Sequence, residues 1–130
     1  MTTLAVTPDD VLRLTQLARE FHAQDAVVMP DTPGNFTDDE WSQEALAGHE
    51  SNTFLDEFRA LVGDLEPDQQ MEVVALLWLG RGDYTAEEWE QAVLDARDAW
   101  NPRTADYLIA HPMLADQIEE GLQLLGYELE

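Results

Sequence analysis

The sequence contains no cysteine, which removes disulfides, zinc–thiolate sites, iron–sulfur clusters and thiol catalysis. It contains no lysine either: six basic residues, all arginine, stand against 28 Asp and Glu, for a formal net charge of -22. Direct nucleic-acid binding needs a cationic footprint and is excluded on that balance, and docking on anionic membranes is disfavoured with it. No run approaches the ~18 uninterrupted apolar residues of a membrane span. The opening Met1-Thr2-Thr3-Leu4-Ala5-Val6 lacks a basic stretch followed by a long apolar one, so the expectation is a soluble cytoplasmic chain. Serine is scarce as well; Ser42 and Ser51 lie outside any Gly-x-Ser-x-Gly elbow.

What remains is apolar enough to fold. Of 130 residues, 45% are hydrophobic, well above the content of an acidic disordered tail and sufficient for one core. We read residues 1–130 as a single helical domain. The acidic exterior has a plain reading as a solvated surface. It has two sharper ones: a face for a basic protein partner, or a DNA mimic whose carboxylates imitate phosphates.

Periodicity points to helices throughout. Thr7-Pro8-Asp9-Asp10 is a helix start, with Thr as N-cap, Pro in the first turn and carboxylates at the positive end of the dipole. Leu14, Leu17, Ala18 and Phe21 follow at helical spacing, to about Gln24. Pro30, Pro33, Gly34 and Asn35 predict a Pro/Gly-containing loop at about 25–36. Thr37 to Glu40 then forms a capping box before a short helix to about Ala47, and Thr53 to Val62 is another helix. Glu66-Pro67-Asp68 opens a segment that is apolar nearly all round to Leu79, as a helix in the middle of a bundle must be. Gly80 is expected as its left-handed stop. A second capping box at Thr85-Ala86-Glu87-Glu88 launches a helix to about Trp100, with Trp89, Ala92, Val93, Ala96 and Trp100 on the buried side and Leu94 among carboxylates. Asn101-Pro102 and His111-Pro112 bracket a helix carrying Tyr107, Leu108 and Ile109. A last helix runs from Met113 to Leu125, stopped by Gly126. The predicted fold is all-α: an irregular bundle of five to seven helices around a central apolar helix at about 67–79.

One stretch carries more than periodicity. Trp78-Leu79-Gly80-Arg81-Gly82-Asp83-Tyr84 is followed by Glu88-Trp89, then by Asn101, Arg103-Thr104-Ala105, Tyr107-Leu108 and Glu119-Glu120-Gly121-Leu122. On these residues the chain resembles the bacterial, mainly proteobacterial, family catalogued as domain of unknown function 3775, over roughly residues 54 to 126. The resemblance implies a small, mostly helical, cytoplasmic bacterial protein. The family has no assigned activity, so the resemblance transfers no catalytic residues.

The candidate site rests on scarce cations. Arg81, with Asp83 two residues on, is either a turn-fixing ion pair or a bidentate donor to a carboxylate or phosphate. Arg103 stands at the opening of a helix, where anions bind, and Tyr107 lies one turn further. Convergence of Arg81, Asp83, Arg103 and Tyr107 would make a small-anion site. His22, His49 and His111 lack the Glu-x-x-His spacing of di-iron bundles, and Thr53 replaces the second His of a zinc-protease motif begun at His49-Glu50. His22 is read as a cation at a helix C-terminus, His111 as a cap or spacer. Asp31 to Asp39 lacks the central Gly and terminal Glu of a calcium loop. We therefore expect no cofactor and no metal. Trp78, Trp89 and Trp100 read as core, and Trp41 as core or a partner surface. The function expected is a non-enzymatic protein-interaction or regulatory module, with a small-anion binder or cryptic enzyme using Arg81, Arg103 and Tyr107, and a DNA mimic, as alternatives. Leu94, Trp41 and the tail Tyr127-Glu128-Leu129-Glu130 leave a homodimer open.

Overall fold

The architecture follows from one helix that is apolar on every side. The computed structural model describes residues 4–24, 53–100 and 103–127. Among them are six α-helices and no strand: α1 (Pro8–Gln24), α2 (Thr53–Asp64), α3 (Pro67–Arg81), α4 (Trp89–Ala99), α5 (Thr104–Ile109) and α6 (Leu114–Leu124). A 3-10 turn, Ala86–Glu88, leads into α4. The predicted loop at 25–36, the short helix after Thr37, Trp41 and His49 lie outside the described residues.

α3 is the hub. Val73, Ala75, Leu76, Leu77 and Leu79 are fully buried, Val74 nearly so, and α4, α5 and α6 pack around them. α1 closes the other side, lying against α2 and α6. Val11, Leu14, Ala18 and Phe21 of α1, Leu55 and Phe58 of α2, and Leu114, Ile118 and Leu122 of α6 complete one continuous core. Burying a large aliphatic or aromatic side chain contributes about 1.5–3 kcal/mol, so this set dominates stability. Among the described residues no helix is long and apolar enough to cross a membrane.

Helix starts obey the sequence signals. The Thr7 hydroxyl accepts from the Asp10 amide at 3.2 Å, with Pro8 as first helical residue. The Glu66 amide donates to Gln69 (2.8 Å) and the Thr85 amide to Glu88 (2.9 Å), each half of a capping box. Some acidic side chains are structural: the Glu72 carboxylate accepts from the Ala5 and Val6 amides at 3.0 and 2.8 Å, anchoring the segment before α1 to α3.

Gly80 is not the stop. α3 runs through it to Arg81, and the left-handed residue is Gly82, at φ 91°, whose amide donates to Leu79. Gly80 serves a different need. α3 and α6 cross antiparallel so closely that a Cβ on Gly80 would lie 1.6 Å from the Gln117 carbonyl oxygen, and one on Gly121 2.4 Å from that of Leu76. Each helix gives up a side chain where the other's backbone passes. At the end of α6, Gly126 does adopt the left-handed conformation, at φ 98°.

Candidate functional site

The α3–α4 turn and the end of α5 meet at one corner, because Gly82 reverses the chain directly beyond α3. Arg81, the last residue of α3, donates through Nε to Asp83 Oδ2 at 3.0 Å, and through Nη2 to the same oxygen. Its Nη1 donates to His111 Nε2 at 3.0 Å. That bond fixes the imidazole's tautomer, because guanidinium can only donate. Nδ1 must carry the hydrogen, and it donates to the Tyr107 carbonyl at 2.8 Å, in the last turn of α5. Burial, reinforced by the facing Arg81 charge, pushes the His111 pKa down to about 4. Burial also works against the Arg81 charge, but the Asp83 hydrogen bond and the nearby Tyr107 phenol outweigh it and raise its pKa.

An aromatic arm extends this corner. The Trp78 indole donates to the Tyr107 hydroxyl at 3.0 Å and stacks on Tyr84, centroids 6.0 Å apart. The Tyr84 hydroxyl donates to Asp95 of α4, whose other oxygen accepts from Gln91 at 2.8 Å. The Asp95 bond pushes the Tyr84 pKa up to about 12, and the same bond, with that from Gln91, holds the Asp95 carboxyl below its usual range. Trp78, Arg81, Asp83, Tyr84, Tyr107 and His111 thus act as a buckle joining α3, α4 and α5.

Beside the buckle lies an open groove of about 360 Å³ lined by Arg81, Asp83, His111, Pro112, Met113 and Gln117. Met113 is 55% exposed on its rim. Arg81, Asp83 and Tyr107 therefore come together, while Arg103 lines another groove, between α2 and α5, with Arg59 and Asp106. Arg59 donates to Asp106 at 2.6 Å.

Three residues depart from the sequence reading. His111 is more than a spacer: it is the pivot between Arg81 and α5, a role hinted at by its position four residues after Tyr107. His22 is not a cation at the end of α1. Its Nε2 hydrogen bonds to the Ile109 carbonyl at 2.8 Å, and burial lowers its pKa, so two neutral imidazoles, His22 and His111, hydrogen bond to carbonyls of α5. Trp100 is not core. α4 ends at Ala99, and Trp100 turns extended and stays 39% exposed, its indole donating to Gln70 at 2.7 Å. Leu94, as expected, is exposed.

Residues 55–127 match the model of a family described as Protein of unknown function (DUF3775). The matched stretch runs from within α2 to just past α6 and contains the whole buckle. No curated protein and no solved structure matches the chain.

Proposed function

The chain belongs to the DUF3775 family, and from that premise we propose that it works as a non-enzymatic interaction module, offering its acidic exterior to a basic protein partner. One observation carries the reading. The polar side chains of the family-matching turn are spent on one another, Arg81 on Asp83 and His111, Trp78 on Tyr107, Tyr84 on Asp95. A catalytic constellation needs a nucleophile or base held ready for substrate, whereas this arrangement reads as a rigid fastening. The excess of 22 negative charges then favours encounter with a cationic surface and makes that encounter salt-dependent.

The alternative small-anion site, or cryptic active site, made of Arg81, Arg103 and Tyr107 loses support because the two arginines line separate grooves. The DNA-mimic reading is a special case of the basic partner. The test is affinity capture from native lysate with the full chain, followed by stepwise NaCl. We expect a stoichiometric complex with a basic protein that dissociates as salt rises; displacement of the chain from that complex by duplex DNA would identify a mimic. Recovery of the chain alone at every salt concentration overturns the proposal. So does a phosphorylated or carboxylated metabolite that raises the melting temperature of the wild-type chain but not that of Arg81→Ala, each compared with its own ligand-free value.

A further inference from the structure

We propose that His111 is a two-position switch: neutral, it is held by Arg81 of α3, and protonated, it donates its new hydrogen to Gln117 of α6. The inference is independent of the protein-partner reading, because it concerns the corner itself and no ligand. It begins with an acceptor that has nothing to accept. Gln117 Oε1 is buried away from solvent and, among the described residues, no donor reaches it. Buried polar atoms are ordinarily paired, and each exception calls for a reason. This one stands in the wall of the groove that Arg81, Asp83 and His111 also line. The close crossing of α3 and α6 puts it there: the Gln117 backbone lies against Gly80, the residue before Arg81.

The imidazole explains why that oxygen goes unused in the neutral form. Nδ1–H is committed to the Tyr107 carbonyl at 2.8 Å, and the lone pair of Nε2 accepts from Arg81 Nη1 at 3.0 Å. A neutral ring carries one hydrogen, so none is left for Gln117. A proton added at Nε2 changes the partner that fits. Guanidinium can only donate, so the Arg81 contact becomes donor against donor and cation against cation. The protonated edge needs an acceptor, and Gln117 Oε1 is an uncommitted one in the same groove. Arg81 stays on Asp83, to which Nε and Nη2 already donate. Nδ1 keeps Tyr107, so the end of α5 is handed from α3 to α6 without being released. The groove is open to solvent, which lets the proton arrive while the fold stays closed.

The charges around the ring set the direction. From α3, Arg81 opposes a second cation, and from α1, His22 acts in the same sense. On α5 itself, the Tyr107 ring meets the imidazole edge-on at 5.0 Å, and Asp106 is taken by Arg59 of α2. On α6, Asp116 and Glu119 are both taken by Arg19 of α1. Asp83 lines the groove, but Arg81 holds it. With the neighbouring carboxylates engaged elsewhere, burial and Arg81 keep the ring neutral well into acid, with its pKa pushed down to about 4. The Arg81 position is therefore the resting one, and the Gln117 position fills as acid is added.

The test follows the His111 imidazole itself, through its nitrogen and carbon NMR shifts, as the full chain is taken from neutral pH into acid. In wild type the expected result is one reversible step, with the amide signals of α3 and α6 still those of the folded chain. Gln117→Leu removes the acceptor and should lower the His111 midpoint by about one pH unit, a tenfold loss of proton affinity. Arg81→Gln removes the opposing charge and should raise the midpoint. A Gln117 that only packs would change the melting temperature and leave the midpoint where it is. Should Gln117→Leu fail to fold, or unfold before His111 titrates, Gln117→Glu decides, since a carboxylate facing the ring must raise the midpoint. A midpoint shared by wild type and the folded Gln117 variant overturns the proposal. So does global unfolding of wild type ahead of His111 titration. A midpoint that falls with Asp83→Asn and not with Gln117→Leu also overturns it, because the proton's partner is then the carboxylate.

Discussion

The two sides of α3 are held by opposite means. Toward α6, backbone passes over backbone, and specificity comes from what is missing at Gly80 and Gly121. Toward α4 and α5, side chains reach across, and specificity comes from matched donors and acceptors around Arg81, His111, Tyr107 and Trp78. The difference teaches where the molecule can tolerate change. A steric contact has no partial substitute, because any Cβ must push the helices apart. A hydrogen-bonded contact loses one bond at a time, each worth about 0.5–1.5 kcal/mol.

The largest effects therefore belong to the crossing. Gly→Ala inside a helix normally stabilises by about 1 kcal/mol through helix propensity. At Gly80 and Gly121 the sign reverses, because the new methyl meets a carbonyl oxygen at 1.6 or 2.4 Å and a helix backbone cannot rotate out of the way. Gly80→Ala and Gly121→Ala are each expected to cost on the order of 3–5 kcal/mol, read as a lowered urea midpoint. A midpoint within error of wild type for either variant would mean the helices separate freely, and the contrast between the two sides of α3 would vanish.

The sequence shows one side of this contrast better than the other. Helix existence was legible wherever an apolar stripe and a cap coincide, as at Thr7, Glu66 and Thr85, since both are local. The all-round apolar run from Met71 to Leu79 announced the central helix for the same reason. Gly80 is ambiguous in the sequence because a glycine near a helix end has two uses, and only the neighbouring helix, whose Gln117 lies far along the chain, decides between them. Arg81 and Asp83 were visible as a pair, but His111 was hidden: nothing local says that its ring faces a guanidinium. Arg59 carried no signal at all until the fold laid α2 beside α5. Trp100 went wrong through one residue of helix length, since a helix that stops at Ala99 releases the next side chain from the buried stripe.

The buckle is expected to respond to pH, and the crossing is not. The unfolded imidazole titrates near ~6.5, and burial beside Arg81 lowers His111 to about 4 in the folded chain. The unfolded state thus binds the proton first as pH falls. Stability contributed by neutral His111 is complete above the unfolded value, declines between the two, and is lost below the folded one. The loss is on the order of 3 kcal/mol, and His22 shifts in the same direction. Protonation of surface carboxylates relieves repulsion and works against it, so the readout is a difference. The stability gap between wild type and His111→Gln should narrow as pH falls from neutral toward 4. A gap that stays constant would show that His111 gains nothing from being neutral.

Smaller again are the charges of the turn. Asp83→Asn removes a partly exposed ion pair and is expected to cost about 0.5–1 kcal/mol, most of it screened by salt. Arg81→Gln should cost about 1–2 kcal/mol, because it also strips the buried His111 Nε2 of its donor. Equal effects from the two would mean that the Arg81–His111 bond contributes nothing beyond the pair with Asp83, and urea titrations of both variants at one salt concentration separate the cases.

The smallest effect closes the comparison by changing sign. Gly63 is also a helical glycine, near the end of α2, but its missing Cβ faces open space. With no backbone opposite, only propensity and unfolded-state entropy remain, and Gly63→Ala should stabilise by about 0.4–1 kcal/mol. The same chemical change thus has opposite expected outcomes in one molecule, set by whether another helix lies within reach. A melting temperature that falls for Gly63→Ala as it does for Gly80→Ala would show that helical glycines in this chain matter for their own flexibility, and the close approach of α3 and α6 would no longer explain them.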